Sequence, residues 1–303
     1  MGAPSMNIWI LYRHAEAHLK PEAYEMRRLL DVGRSRGHDI QVRRPEDFEL
    51  LVTSNSEPSI MINHDIVPLP DVMLPRMGAG TNYFALSVIR QLERLQVPTF
   101  NSSRSIETVR DKLFTHQLLA RHKLPLPKTM LAKFPVELNI VQEALGFPVV
   151  VKTLSGSQGS GVYLCETRQH FDDLMQLIQS TQSNTNLIFQ EFIANSRGRD
   201  VRMFVIGGRV VAAMERRSTH DSFKANYSQG AEVIRFKPNR DAEWLALQSA
   251  RLLGLDIAGI DLLFDQDGFK VCEANSSPGF EGLESCCDIN IAEEILDFVQ
   301  FRL

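Results

Sequence analysis

Val149-Val150-Val151-Lys152, followed after Thr153-Leu154-Ser155 by Gly156-Ser157-Gln158-Gly159-Ser160-Gly161, is the stretch on which the reading of this chain turns. An apolar, β-branched run reads as a buried strand, and this one ends by delivering a lysine beside a glycine-rich turn. Such a turn can close over phosphates, because glycines let backbone N–H groups point at anion oxygens. No Gly-Lys-Ser/Thr ends it and no helix follows at once, so it is not a Walker loop, and its spacing does not open a dinucleotide-binding helix. A purely structural glycine hairpin is the other reading of the same residues.

Working outward, apolar runs at 6–12, 39–42 and 71–74 alternate with helix-forming stretches at 24–36 and 82–95, which predicts a parallel α/β sheet over residues 6–100. A second unit is expected over 101–186. It contains a charged amphipathic helix at 105–122 closed by Pro125 and Pro127, the strand with Lys152, the glycine turn, a strand at 162–165 and a helix at 170–179. From 187 to 303 the strands lengthen, at 187–192, 201–206 and 209–216, with Gly207-Gly208 as a hairpin turn. A helix at 242–253, strands at 258–264 and 269–274 and a helix at 291–301 complete an antiparallel unit. The expected fold class is therefore mixed, α/β in the first hundred residues and α+β beyond. Met1 to Ser5, ahead of the second methionine Met6, read as an addition outside the fold.

With 303 residues, 44% of them hydrophobic, the chain can bury two or three cores. A net charge of −4 supplies no broad positive field, which argues against DNA as the ligand. No apolar run approaches the roughly 18 residues of a membrane span, so no membrane partner and a soluble, cytoplasmic protein are expected. Cys165, Cys272, Cys286 and Cys287 have the spacing of neither a disulfide framework nor a zinc site.

Near the C-terminus three oxygen-bearing side chains stand in apolar strands: Asp261 in Ala258-Gly259-Ile260-Asp261-Leu262-Leu263, then Glu273 and Asn275 in Cys272-Glu273-Ala274-Asn275. Alternate positions of a strand face one way, so Glu273 and Asn275 can converge with Asp261 of a neighbouring strand on a hard cation. Pairing of the carboxylates with arginines, or capping of loops, is the alternative. Phe189-Gln190-Glu191-Phe192-Ile193 is a strand end suited to holding a flat ring by backbone groups. In Gly198-Arg199-Asp200-Val201-Arg202, Asp200 and Arg202 alternate toward one ligand or form a surface ion pair. Arg76, Lys112 and the pair Arg216-Arg217 are placed to meet an anion or to be solvated surface charges.

The order from Arg110-Asp111-Lys112 through Val151-Lys152, the glycine turn, Gln190-Glu191, Asp200-Val201-Arg202, Asn226 and Asp261 to Glu273-Ala274-Asn275-Ser276-Ser277-Pro278-Gly279 resembles the ATP-grasp superfamily. It is most similar to the RimK-like glutamate ligases, with Pro75-Arg76-Met77-Gly78, Glu215-Arg216-Arg217, Phe223-Lys224-Ala225-Asn226 and Gly279-Phe280-Glu281-Gly282 in the match. The resemblance implies an ATP-grasp fold behind an N-terminal Rossmann-like (pre-ATP-grasp) domain.

It implies ATP held by Lys112 and Lys152, by the turn Gly156, Ser157, Gln158, Gly159, Ser160 and Gly161 as a lid, by Gln190, Glu191, Phe192 and Ile193, by Asp200, and by Lys224, Ala225 and Asn226. Two Mg2+ or Mn2+ ions would sit on Asp261, Glu273 and Asn275. Substrate would meet Arg76, Arg202, Arg216, Arg217 and Ser277, with Arg202, Arg217 and Asn226 nearest the chemistry. The implied reaction activates a carboxylate as an acyl phosphate and joins L-glutamate to it, on a peptide, a protein C-terminus, a glutamate chain or a small acid. A ligase using another amino acid or a carrier protein, as in lysine or arginine biosynthesis, and a small-molecule kinase are the alternatives. A homo-oligomer, dimer or tetramer, is expected by analogy. Because this chemistry needs no protein nucleophile, His116, His122, His170 and His220 read as surface or packing residues.

Overall fold

The computed structural model describes residues 4–20, 23–54, 60–154, 161–181, 186–219, 222–225, 227 and 230–303. The chain opens with β1 (Asn7–Leu11), α1 (Tyr24–Ser35) and β2 (Asp39–Arg43). Three short strands, β3 (Phe48–Leu50), β4 (Ile60–Ile62) and β5 (Asp65–Ile66), then pair antiparallel as a small sheet of their own. After β6 (Val72–Pro75) and α2 (Tyr83–Arg94), the first large sheet closes in the order β2-β1-β6, all parallel, as expected for this span. Alternation in β1 divides the packing. Ile8 and Ile10 face α1, while Trp9 and Leu11 face α2, with the Trp9 ring edge-on to Phe48 of β3.

The single helix expected over 105–122 is two helices, α3 (Ser103–Arg110) and α4 (Lys112–Arg121). Asp111 between them is extended, at φ −89° and ψ 100°, and its carboxylate accepts from the Phe114 N–H. An acidic N-cap satisfies an orphan donor of the new helix, which outweighs the propensity of this stretch to continue.

Next come β7 (Thr129–Leu131), α5 (Leu138–Leu145), β8 (Val149–Thr153), β9 (Val162–Cys165), α6 (Arg168–Ser180) and β10 (Leu187–Glu191). They form an antiparallel sheet in the order β7-β10-β8-β9, with Val149, Val151, Leu187 and Phe189 packed against Phe171 of α6. This corrects one boundary. The strand beginning at Leu187, expected to open the C-terminal unit at 187–303, pairs with β8 in register Leu187↔Thr153 and lies inside the central sheet.

The last unit holds β11 (Arg199–Ile206), β12 (Arg209–Arg217), β13 (Glu232–Arg235), α7 (Arg240–Leu252), β14 (Ile257–Asp265), β15 (Gly268–Asn275), α8 (Glu281–Cys286) and α9 (Ile291–Arg302). Its five strands are antiparallel in the order β13-β12-β11-β14-β15. The β11–β12 hairpin turns at Gly207-Gly208, both at positive φ, as that dipeptide predicts. One sheet face packs Val201, Met203, Val205, Ile260 and Leu262 under α7. The other face changes character along its length: Phe204, Ile206, Ala212 and Met214 join the core beneath β1 and α1, whereas Asp200, Arg216 and Asp261 lie toward the central sheet.

Residues of the N-terminal part also grip the chain just after β15. Arg76, a buried residue, donates from Nη2 to the carbonyl of Pro278 at 2.6 Å, and Glu25 of α1 accepts from the Phe280 N–H at 2.9 Å. Asn101 donates from Nδ2 to the carbonyls of Ile257 (2.6 Å) and Ser276 (2.8 Å), and its Oδ1 accepts from the N–H groups of Asp256 (2.6 Å) and Ile257 (3.0 Å). Among the described residues, no helix is long and apolar enough to cross a membrane.

Candidate active site

A cleft, open at its mouth, separates the central sheet from the C-terminal one. Each wall follows from strand alternation. With Val149 and Val151 turned into the core, Val150 and Lys152 of β8 face the cleft, and Gln190 of β10 lies on the same face. The exit of β10, Glu191-Phe192-Ile193, lines one end, and Phe223, Lys224 and Ala225 line another part of the wall. From the opposite sheet come Asp200, Arg216, Asp261, Leu263, Cys272 and Glu273.

Two irregularities aim residues that regular elements would not deliver. The break at Asp111 puts Lys112 at the first position of α4, where its Nζ lies 2.6 Å from Glu273 Oε1. A β-bulge shifts the β14–β15 register after Asp261, so that Asp261 opposes Glu273 while Leu262 opposes Val271. Cys272 is the extra residue, which lets consecutive side chains, Cys272 and Glu273, both face the cleft.

The floor is a closed charge lattice, with Arg202 behind it. Arg202 forks onto Asp261 with both bonds at 2.8 Å, and Arg216 forks onto Asp200 with both at 2.7 Å. Arg216 also reaches Asp261 Oδ2 at 2.9 Å, linking the two pairs. Burial works to raise the Asp261 carboxyl, but Arg202 and Arg216 outweigh it and hold the group at about 2. Asp200 goes the other way, because burial raises it more than Arg216 lowers it. Burial likewise opposes the Lys112 ammonium, yet Glu273 lifts it above the ordinary lysine range.

Of the residues singled out in the sequence, Lys112, Lys152, Gln190, Glu191, Phe192, Ile193, Asp200, Lys224, Ala225, Arg216, Asp261 and Glu273 line this one cleft. Gly156, Ser157, Gln158, Gly159, Ser160, Asn226 and His220 lie outside the described residues. Gly161 sits at φ +73°, where a Cβ would meet Thr153 Oγ1 at 2.2 Å, so this position requires glycine.

Five further residues lie elsewhere than at the cleft. Arg76 is not at the cleft but buried against Pro278 and the Phe280 ring. Arg217 alternates with Arg216, so it points off the opposite face and binds Glu215 at 2.8 Å. Arg202 lies behind the floor, engaged by Asp261. Ser277 and Asn275 do not line the cleft; the Nδ2 of Asn275 is buried without a hydrogen-bond partner.

His116, read as a surface or packing residue, is only 7% exposed and hydrogen-bonded at both ring nitrogens, to Thr129 Oγ1 and to the Cys272 carbonyl, each at 3.0 Å. Burial lowers it from 6.5 to about 4. A histidine whose folded value is depressed contributes stability that is complete above about 6.5 and lost as pH falls toward 4. At about 1.4 kcal/mol per pH unit, the loss is about 3 kcal/mol. Urea unfolding between pH 4 and 7 should show this slope in the parent and a much shallower one in His116→Gln. Equal slopes would mean that His116 titrates normally.

Comparison with known proteins adds a family pattern to this geometry. Residues 6–106 match the RimK PreATP-grasp domain and residues 109–299 match the RimK-like ATP-grasp domain. A probable alpha-L-glutamate ligase of Trichodesmium erythraeum (strain IMS101) is 37% identical, over 93% of this chain and 94% of its own length. One from Aeromonas salmonicida (strain A449) is 36% identical over the same shares. Among solved structures, the ATP-grasp ligase PsnB complexed with precursor peptide PsnA2 and AMPPNP is similar at a TM-score of 0.71 and 18% identity, covering 98% of this chain and 99% of that one. The macrocyclase MdnC bound with precursor peptide MdnA from Microcystis aeruginosa MRC is similar at a TM-score of 0.70 and 14% identity, covering 98% and 100%.

Proposed function

The chain belongs to the RimK-like ATP-grasp family of carboxylate–amine ligases, and from that premise we propose that it joins L-glutamate to a carboxylate acceptor at the expense of ATP. The observation that carries this reading is the meeting, in one cleft, of Lys112 and Lys152 with Asp261 and Glu273. Cations suited to phosphate oxygens and oxygen donors suited to a hard metal line the same cleft, with Lys112 paired to Glu273.

In this reading the Gln190–Ile193 exit holds the adenine, Asp200 the nucleoside, and Lys112, Lys152 and Lys224 the phosphates. Ligases of similar fold in complex with AMPPNP, or with ADP and Mg, lend support to ATP and Mg2+ here. Two hard carboxylates of the kind such an ion takes line the cleft, Asp261 held by Arg202 and Arg216 and Glu273 by Lys112. Asp261 and Glu273, which line the cleft, would hold Mg2+ or Mn2+, with Asn275, two residues beyond Glu273 on β15, as the third donor that the resemblance implies for two ions, and the metal would supply charge neutralisation at the phosphate oxygens.

The chemistry proceeds in two steps. An acceptor carboxylate oxygen bonds to the γ-phosphorus as the bond to ADP breaks. The amine of glutamate then bonds to the acyl carbon, phosphate leaves, and the amine gives up a proton to yield the amide. The chain's own task is electrostatic, since Lys112 and Lys152 are preorganised cations where charge moves toward the leaving ADP. Glutamate as the amine follows the names of the relatives, and a peptide or small-acid acceptor is in line with the peptide-bound ligases of similar fold.

The test is phosphate release from ATP and Mg2+ with each of the twenty amino acids, using peptide and small-acid acceptors, followed by mass spectrometry of the positive reactions. ATP-dependent gain of glutamyl mass is the expected result. ADP without a new amide points to a kinase, and gain of a different amino acid points to another ligase of the family.

A further inference from the structure

Lys152 does not stand alone in the cleft. Its Nζ lies 2.6 Å from Oε1 of Gln190 and 3.7 Å from Sγ of Cys272. The Nε2 of Gln190 donates to Thr129 Oγ1 at 2.9 Å, and that oxygen lies 3.0 Å from Nδ1 of His116, whose Nε2 faces the Cys272 carbonyl. Sheet register builds this line: Gln190 opposes Thr129 on one side and Val150 on the other, so Lys152 is its diagonal neighbour on the same face.

The line has a direction, fixed at one end by chemistry. A carbonyl can only accept, so His116 Nε2 must carry hydrogen. Its burial keeps the ring neutral at ordinary pH, which leaves Nδ1 with a lone pair. The Thr129 hydroxyl has one hydrogen and two acceptors in reach, Nδ1 and the Pro127 carbonyl at 3.0 Å. Only donation to His116 satisfies the enclosed nitrogen. Oγ1 is then an acceptor toward Gln190, whose amide must present NH2 to Thr129 and C=O to Lys152.

We propose that His116 and Thr129 are positioning residues that lock the Gln190 amide so that its carbonyl holds the Lys152 ammonium in the nucleotide cleft. The inference rests on the reading of Lys152 as a nucleotide contact. Nothing in the sequence between Arg110 and Pro127 signals it, because the partners come from α4, β7, β10 and β15.

Calorimetric binding of AMPPNP with Mg2+ tests it. Thr129→Val keeps the shape and removes the hydroxyl, and is expected to raise Kd about tenfold, the cost of one displaced charge-assisted hydrogen bond. Thr129→Ser, which restores the hydroxyl, should recover most of that affinity. At position 116, asparagine carries its amide to the place of Nδ1 and glutamine to the place of Nε2. His116→Asn should therefore bind AMPPNP more tightly than His116→Gln. A role in packing alone gives the opposite order, since glutamine is nearer to histidine in volume.

Lys152→Met separates the two levels of the argument. If it binds AMPPNP as the parent does, the nucleotide reading of Lys152 falls. If it binds weakly while Thr129→Val binds as the parent does, the positioning role alone is overturned. Should the His116 variants fail to fold, the Thr129 pair decides the matter by itself.

Discussion

Glu273→Gln is expected to lower ATP turnover by about a hundredfold to a thousandfold, the range seen when one preorganised electrostatic contact is removed from a transition state, while leaving the fold intact. Glu273 is the cleaner of the two carboxylates to test. It is 38% exposed at the side chain and paired with Lys112, to which the neutral amide still offers a carbonyl oxygen. Asp261 is different, being locked between Arg202 and Arg216. On the sequence alone, removing it would cost little in folding. The lattice around it makes the opposite expectation: Asp261→Ala leaves buried guanidinium charge uncompensated and should cost about 3–5 kcal/mol as well as activity. ADP release and a thermal melt on both variants check this. Turnover by Glu273→Gln within about threefold of the parent would remove Glu273 from the reaction.

Asn101→Ala is expected to destabilise the protein by about 3–4 kcal/mol. The side chain is completely buried and makes four hydrogen bonds, all to main-chain groups. Alanine leaves two carbonyls and two N–H groups without partners in a site closed to water. Asn101→Asp keeps the two acceptor contacts but turns an oxygen toward the Ile257 and Ser276 carbonyls, so it should do no better. Urea denaturation gives the measurement, and a loss under about 1 kcal/mol for alanine would show that water or a backbone shift replaces the bonds.

Much of the site was legible because strand alternation is a local rule. Val150 and Lys152, or Asp200 and Val201, disclose their faces through their neighbours, and the ordered motifs fixed which strands share the cleft. The features that escaped are non-local or irregular. The break at Asp111 depends on one cap against a helix-favouring run, and the bulge that turns Cys272 inward depends on how β15 meets β14. The strand at Leu187 has the same composition whichever sheet it joins. His116 lies in an ordinary amphipathic helix, and its partners are distant in sequence. Arg76 and Arg217 were misplaced for a simpler reason: a cation beside a motif looks alike whether it faces an anion, a carbonyl or water.

The grips of Glu25, Arg76 and Asn101 on residues 276–280 and on the start of β14 bear on how such an enzyme can diversify. Their bonds are to main chain, so they ask nothing of the side-chain identities opposite. Around them, however, the joint is specified by side chains: Ile8, Leu29, Phe204, Met214 and Phe280 share one core, and Glu284 engages both Tyr24 and Arg28. Drift is therefore free only opposite the main-chain grips, while residues of the shared core must change in step on both sides of the joint.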